Sequence, residues 1–67
     1  MIKRTQLELM ERIIEELNKN SPQLPVELSK TIITDIRVIT NLTKFLDKIG
    51  KIRIQKTKTG KIILYKV

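Results

Sequence analysis

Apolar residues recur three and four positions apart in the first part of the chain. Leu7, Met10, Ile14 and Leu17 form a stripe, reinforced by Leu9 and Ile13. That period belongs to an amphipathic helix. Thr5 followed by Glu8 matches a capping box, in which each side chain satisfies the other residue's backbone N–H. The pattern predicts a helix from Thr5 to Lys19. Asn20, Ser21, Pro22 and Pro25 then interrupt the period. Pro25 suits the first turn of a new helix, where its missing N–H costs nothing. A short second helix is expected over Pro25–Thr31, with Val26 and Leu28 among its apolar positions. Gln23–Leu24 offers the only trace of a strand before it.

Thr34 reads as the N-cap of a third helix, with Asp35 in the first turn, where negative charge suits the helix dipole. This helix is expected to reach Ile49. Its inward stripe is Ile36, Ile39, Leu42, Leu46 and Ile49, widened by Val38 and Phe45, and Phe45 is expected inside. Gly50 stands where a glycine ends a helix. The period then changes to two. Ile52 and Ile54 alternate with Lys51, Arg53 and Gln55, as in a half-buried strand. Thr57, Lys58, Thr59 and Gly60 supply a hairpin loop, and Lys61–Val67 returns as a second strand. The expected fold class is α+β, three helices followed by a C-terminal β-hairpin in a single domain over 1–67. The helices must cover one face of the hairpin, because two strands alone are marginal in water.

Composition removes several functions. The 67 residues include no Cys and no His, which excludes disulfides and ordinary zinc sites. The seven acids mostly lie at helical spacings, not in a clustered loop, so no metal and no cofactor is expected. No nucleophile–base constellation and no glycine-rich phosphate loop is present, so the chain reads as a binding protein and not as an enzyme. No apolar run suggests a signal peptide or a membrane span, and a cytoplasmic protein is expected. Ile is abundant, Ala is absent and Lys far outnumbers Arg, a balance that leans toward a heat-loving source.

Charge adds the most. The formal net charge is +7, and it is divided very unevenly: −1 over Met1–Asp35 and +8 over Ile36–Val67. A solvated surface mixes both signs. One-sided charge points to a polyanionic partner.

The segments PVELSKT, IITD, IRVITNLTKFLDKIG and KIRIQKTKTGKIILYKV together resemble a winged helix-turn-helix domain, of the small kind found in archaea and their viruses. Leu42, Phe45 and Leu46, then Gly50, then Ile52, are similar to the family's helix ending. The glycine often found between the second and third helices is absent. With the first helix included, the resemblance covers nearly the whole chain. It implies that the third helix enters the major groove and that the hairpin, as a wing, touches backbone or minor groove.

The residues carry a parallel argument. At about 100° per residue, Arg37, Asn41, Lys44 and Lys48 share one narrow face opposite Ile39, Leu42 and Leu46, with Thr40 beside them. Arg forks onto guanine and Asn bridges adenine, while Lys and Thr serve phosphates. Around the hairpin loop stand Arg53, Lys56, Lys58 and Lys61. Charged residues at a strand edge also prevent aggregation, and for Lys56 or Lys66 singly that is the simpler reading; as a group they suit phosphate. Double-stranded DNA is therefore the expected partner, and a nucleoid-associated regulator or chromatin factor the expected role. A homodimer would read two half-sites. Single-strand binding is disfavoured, because Phe45 and Tyr65 are the only aromatic residues and stacking platforms need more. Membrane-surface binding is disfavoured too, since no exposed apolar side opposes the basic face. The alternative is a protein–protein adaptor or accessory subunit of a replication or transcription complex, docking through the acidic first helix at Glu8, Glu11, Glu15 and Glu16.

Overall fold

A computed structural model describes residues 4–67, and its elements follow the order α1 (Arg4–Lys19), α2 (Pro25–Ile32), α3 (Ile36–Lys48), β1 (Ile52–Lys56) and β2 (Ile62–Lys66). Three helices precede a two-stranded antiparallel hairpin, an α+β arrangement consistent with a winged-helix layout. No described helix is long and apolar enough to cross a membrane.

The helical stripes meet in one core. Met10, Ile13 and Leu17 of α1 pack with Leu28 of α2, with Ile39, Leu42 and Leu46 of α3, and with Ile52 and Leu64 of the hairpin. Burying one such side chain contributes about 1.5–3 kcal/mol before chain entropy is subtracted. On α1 the buried face centres on Ile13, so Leu7 stays 47% exposed while Leu9 and Ile14 are half-buried. Thr5 lies inside α1 and is not its cap. The cap position falls before Arg4, outside the described residues. Side-chain periodicity locates a helix better than it locates its ends.

Thr34 likewise is not a cap. Asp35 caps α3, its carboxylate accepting the Arg37 backbone N–H at 2.8 Å. The Thr34 N–H is already committed to closing α2, donating to the Ser29 carbonyl at 3.0 Å. At the other end Ile49 is the flanking residue, and Gly50 takes the left-handed conformation at φ 80°.

The α3 stripe is narrower than expected, and it is rotated. Ile36, Phe45 and Ile49 are 45%, 39% and 49% exposed. Thr43 is buried, on the side of α3 where Pro25 of α2 and Ile54 of β1 line a hollow with it. Its hydroxyl donates within the helix to the Ile39 carbonyl at 2.8 Å, so burial leaves no orphan polar group.

The hairpin pairs Ile52 with Lys66 and Lys56 with Ile62, Ile54 facing Leu64 between them. Its outer edges are both tied down. Gln23 makes an isolated bridge to Leu64 on the β2 edge, with N–H to carbonyl distances of 2.9 and 2.8 Å. The Lys66 N–H donates to Ser21 Oγ on the same edge at 3.0 Å. Asp47 Oδ1 accepts the Ile54 N–H on the β1 edge at 3.1 Å. The buried Gln23 side chain also donates to the carbonyls of Glu16 and Asn20. One residue therefore caps α1 and anchors β2. In the loop, Gly60 at φ 85° supplies the left-handed residue that lets the strands return.

Candidate nucleic-acid interface

The buried face of α3 determines what its opposite face can offer. With Ile39, Leu42, Thr43 and Leu46 facing the core, Arg37, Asn41, Lys44 and Lys48 are left in solvent. From Arg37 to Lys48 is about 16 Å along the axis at ~1.5 Å per residue. Thr40 sits at the flank, half-buried, its hydroxyl donating to the Ile36 carbonyl at 2.9 Å. That hydroxyl keeps acceptor capacity but has already used its proton.

Two acids border this face, and each is engaged. Asp35 stands at the head of α3, where its Oδ2 lies 3.5 Å from Arg37 Nη2. The Arg37 backbone N–H, and secondarily its guanidinium, hold the Asp35 carboxyl below the usual carboxylate range. The pair is exposed, with Arg37 at 88%, so it contributes little to stability. Its consequence is positional: the guanidinium rests beside the first turn of α3. Asp47, on the same flank as Thr40, is bonded to Ile54 and joins α3 to the hairpin.

The hairpin cations do not form one cluster. Side chains alternate across a strand. Lys56 shares the inward side of β1 with Ile52 and Ile54 and lines a hollow with Lys44, Asp47 and Thr40. Lys61 lines an adjoining hollow with Thr40 and Ile36. Arg53 is one residue out of phase, opposite Tyr65 in the register and toward the far end of β1 from the loop. It does not surround the loop with Lys56, as its place in the chain suggests. Lys58 is exposed within the loop. The Thr57 and Thr59 hydroxyls bond each other at 2.9 Å, and Thr57 Oγ1 accepts the Lys61 N–H at 3.1 Å, which holds the loop's shape.

The structure thus brings together Thr40, Lys44, Lys56 and Lys61, extends that group along α3 through Arg37, Asn41 and Lys48, and sets Arg53 apart. Sequence reasoning missed Asp35 as the partner of Arg37, although Asp outranks Thr at N-caps and that preference could have found it. Nothing local announces the Asp47–Ile54 bond, which depends on how the hairpin folds back. Among the described residues no cluster of three or more acids could hold a metal ion.

The comparisons add no relative to this geometry: no protein-family model, curated protein or solved structure matches the chain.

Proposed function

We propose that this protein binds double-stranded DNA as a winged helix-turn-helix module, with α3 in the major groove and the hairpin as the wing. One observation carries the reading. Lys44 on the solvent face of α3 and Lys56 and Lys61 of the hairpin border the same trough, Lys44 and Lys56 at one end and Lys61 at the other. A duplex laid across α3 would meet base-reading donors at Arg37 and Asn41 and phosphate-binding ammonium groups on either side. The net charge of +7 favours capture of such a polyanion. A role as a nucleoid-associated regulator or chromatin factor accords with this reading, and a homodimer would double the footprint.

The test is fluorescence anisotropy with a random-sequence duplex at several salt concentrations. If about five cations meet phosphates, the log–log salt slope is about −4 to −5. Arg37→Ala/Lys44→Ala weakens binding and flattens that slope. Absence of binding at low salt, or binding indifferent to the double substitution, would overturn the assignment. It would favour the adaptor reading, for which Leu7, 47% exposed beside Glu8 and Glu11, is the surface to test.

A further inference from the structure

Two adjoining hollows, of about 310 and 300 Å³, lie between α3, the start of α2 and the hairpin, and they share Pro25, Thr40 and Ile62. Together they form one trough. Each is already at the lower end of the size range for small-molecule sites, roughly 300–1,000 Å³. The floor is apolar, built from Pro25, Val26, Ile36, Ile54 and Ile62. Phosphates bind to cations and dipoles, so phosphate contact leaves an apolar floor of this extent unexplained.

The polar groups of the trough narrow the choice of occupant. Thr40 and Thr43 donate their hydroxyl protons to carbonyls of α3. Asp47 accepts from the Ile54 N–H. Apart from the Asp47 carboxylate, the charged groups are cationic: Lys44 and Lys56 at one hollow, Lys61 at the other. Three ammonium groups face one carboxylate around an apolar floor. That combination suits an apolar body carrying a single negative group.

We infer that the trough is a binding site for a small amphipathic carboxylate, whose hydrocarbon part covers Ile36, Ile54 and Ile62 and whose acid group pairs with Lys44 or Lys56. Because Thr40 and Lys44 belong also to the proposed DNA face, acid and duplex exclude one another. This second statement rests on the DNA reading; the first does not.

Octanoate is the probe, with octanol as its neutral counterpart. Titration of the ¹⁵N-labelled full chain gives saturable amide shifts confined to Thr40, Lys44, Ile54, Gly60 and Ile62. Octanol binds at least tenfold more weakly. Val26→Glu, which adds an acid at a partly exposed position of the trough floor, weakens octanoate at least fivefold, and Val26→Lys does not. Octanol binding as tightly as octanoate, shifts scattered over the molecule, or no saturable shift overturns the site. In anisotropy, saturating octanoate raises the duplex Kd at least threefold for the wild-type chain. An unchanged Kd overturns mutual exclusion. A chain that takes no duplex overturns the DNA reading, and the amide titration still decides the trough.

Discussion

The two turns that flank α3 use the same backbone device with opposite materials. After α2 the Thr34 N–H reaches back to the Ser29 carbonyl at 3.0 Å, and after α3 the Lys51 N–H reaches back to the Leu46 carbonyl at 2.9 Å. Both are six-to-one closures of the Schellman kind, and both need a left-handed residue before the donor. The second turn has Gly50 at φ 80°; the first has Ile33 at φ 59°. Glycine accepts that conformation freely, whereas a β-branched side chain is strained by it. Nor does Ile33 gain from packing, since it is 88% exposed. The turn after α3 is secured by its neighbours in the core, Leu46 and Ile52. The turn after α2 is held by Leu28 before it and by the Asp35 cap after it. A helix ending is therefore not dictated by its own residue alone. Flanking elements hold Ile33 in a conformation it does not favour.

Substitutions can break this comparison, beginning with the anchors. Leu46 and Ser29 hold equivalent places, each lending its carbonyl to the closure. Leu46 is 2% exposed, so Leu46→Ala costs about 2–5 kcal/mol. Ser29→Ala stays within about 0.5 kcal/mol, as for other substitutions away from the core. Urea denaturation followed by circular dichroism measures both, and equal losses would show that the two turns are anchored alike.

The left-handed residues themselves come next. Gly50→Ala destabilises by about 1–2 kcal/mol, the cost of a Cβ in that conformation, even though a Cβ there would meet no atom within 4 Å. An unchanged midpoint would mean that the turn readjusts. Ile33→Gly runs the other way. It relieves strain but adds unfolded-state freedom, so a net gain of up to about 1 kcal/mol is expected in the same assay. A loss would reveal a contribution from the isoleucine side chain that its exposure conceals.

The smallest effect concerns Asp35. Its carboxyl is held below the ordinary value by the Arg37 backbone N–H and guanidinium. A depressed folded-state pKa contributes stability above the unfolded value of about 3.9, and that contribution is lost as pH falls through the folded value. The ¹³C titration of the Asp35 carboxyl in the wild-type chain should therefore have a midpoint below that of a free Asp. In Arg37→Ala the midpoint moves only part of the way back, because the backbone bond persists. A complete return would mean that the guanidinium, and not the cap, sets the shift.

Much of this architecture is legible in the sequence. The Met10–Ile13–Leu17 and Ile39–Leu42–Leu46 rows, the Pro25 start, the Gly50 stop and the switch to period two at Ile52 are local signals, and each element appears where they place it. The same periodicity left Arg37, Asn41, Lys44 and Lys48 on one exposed face. Errors gathered where a neighbour decides. Phe45 was expected inside because it is apolar, yet the hairpin and α2 pack on the Thr43 side. Thr34 has a capping side chain, but α3 begins one residue too late for it and Asp35 holds the cap position. Arg53 looked like a loop cation, but strand alternation places it out of phase with Lys56.

By itself, then, the sequence determined the number, order and type of elements, the apolar rows that form the core and the concentration of positive charge in the second half. These follow from repeats of two and of 3.6 residues and from net charge, all of which are local or additive. Only the tertiary structure decided that Gln23 and Asp47 secure opposite edges of the hairpin, that Ile33 takes a left-handed conformation, and that Lys44, Lys56 and Lys61 border one apolar trough. Those outcomes depend on the backbone of one element reaching groups far away in the chain, and no short-range pattern encodes such a distance.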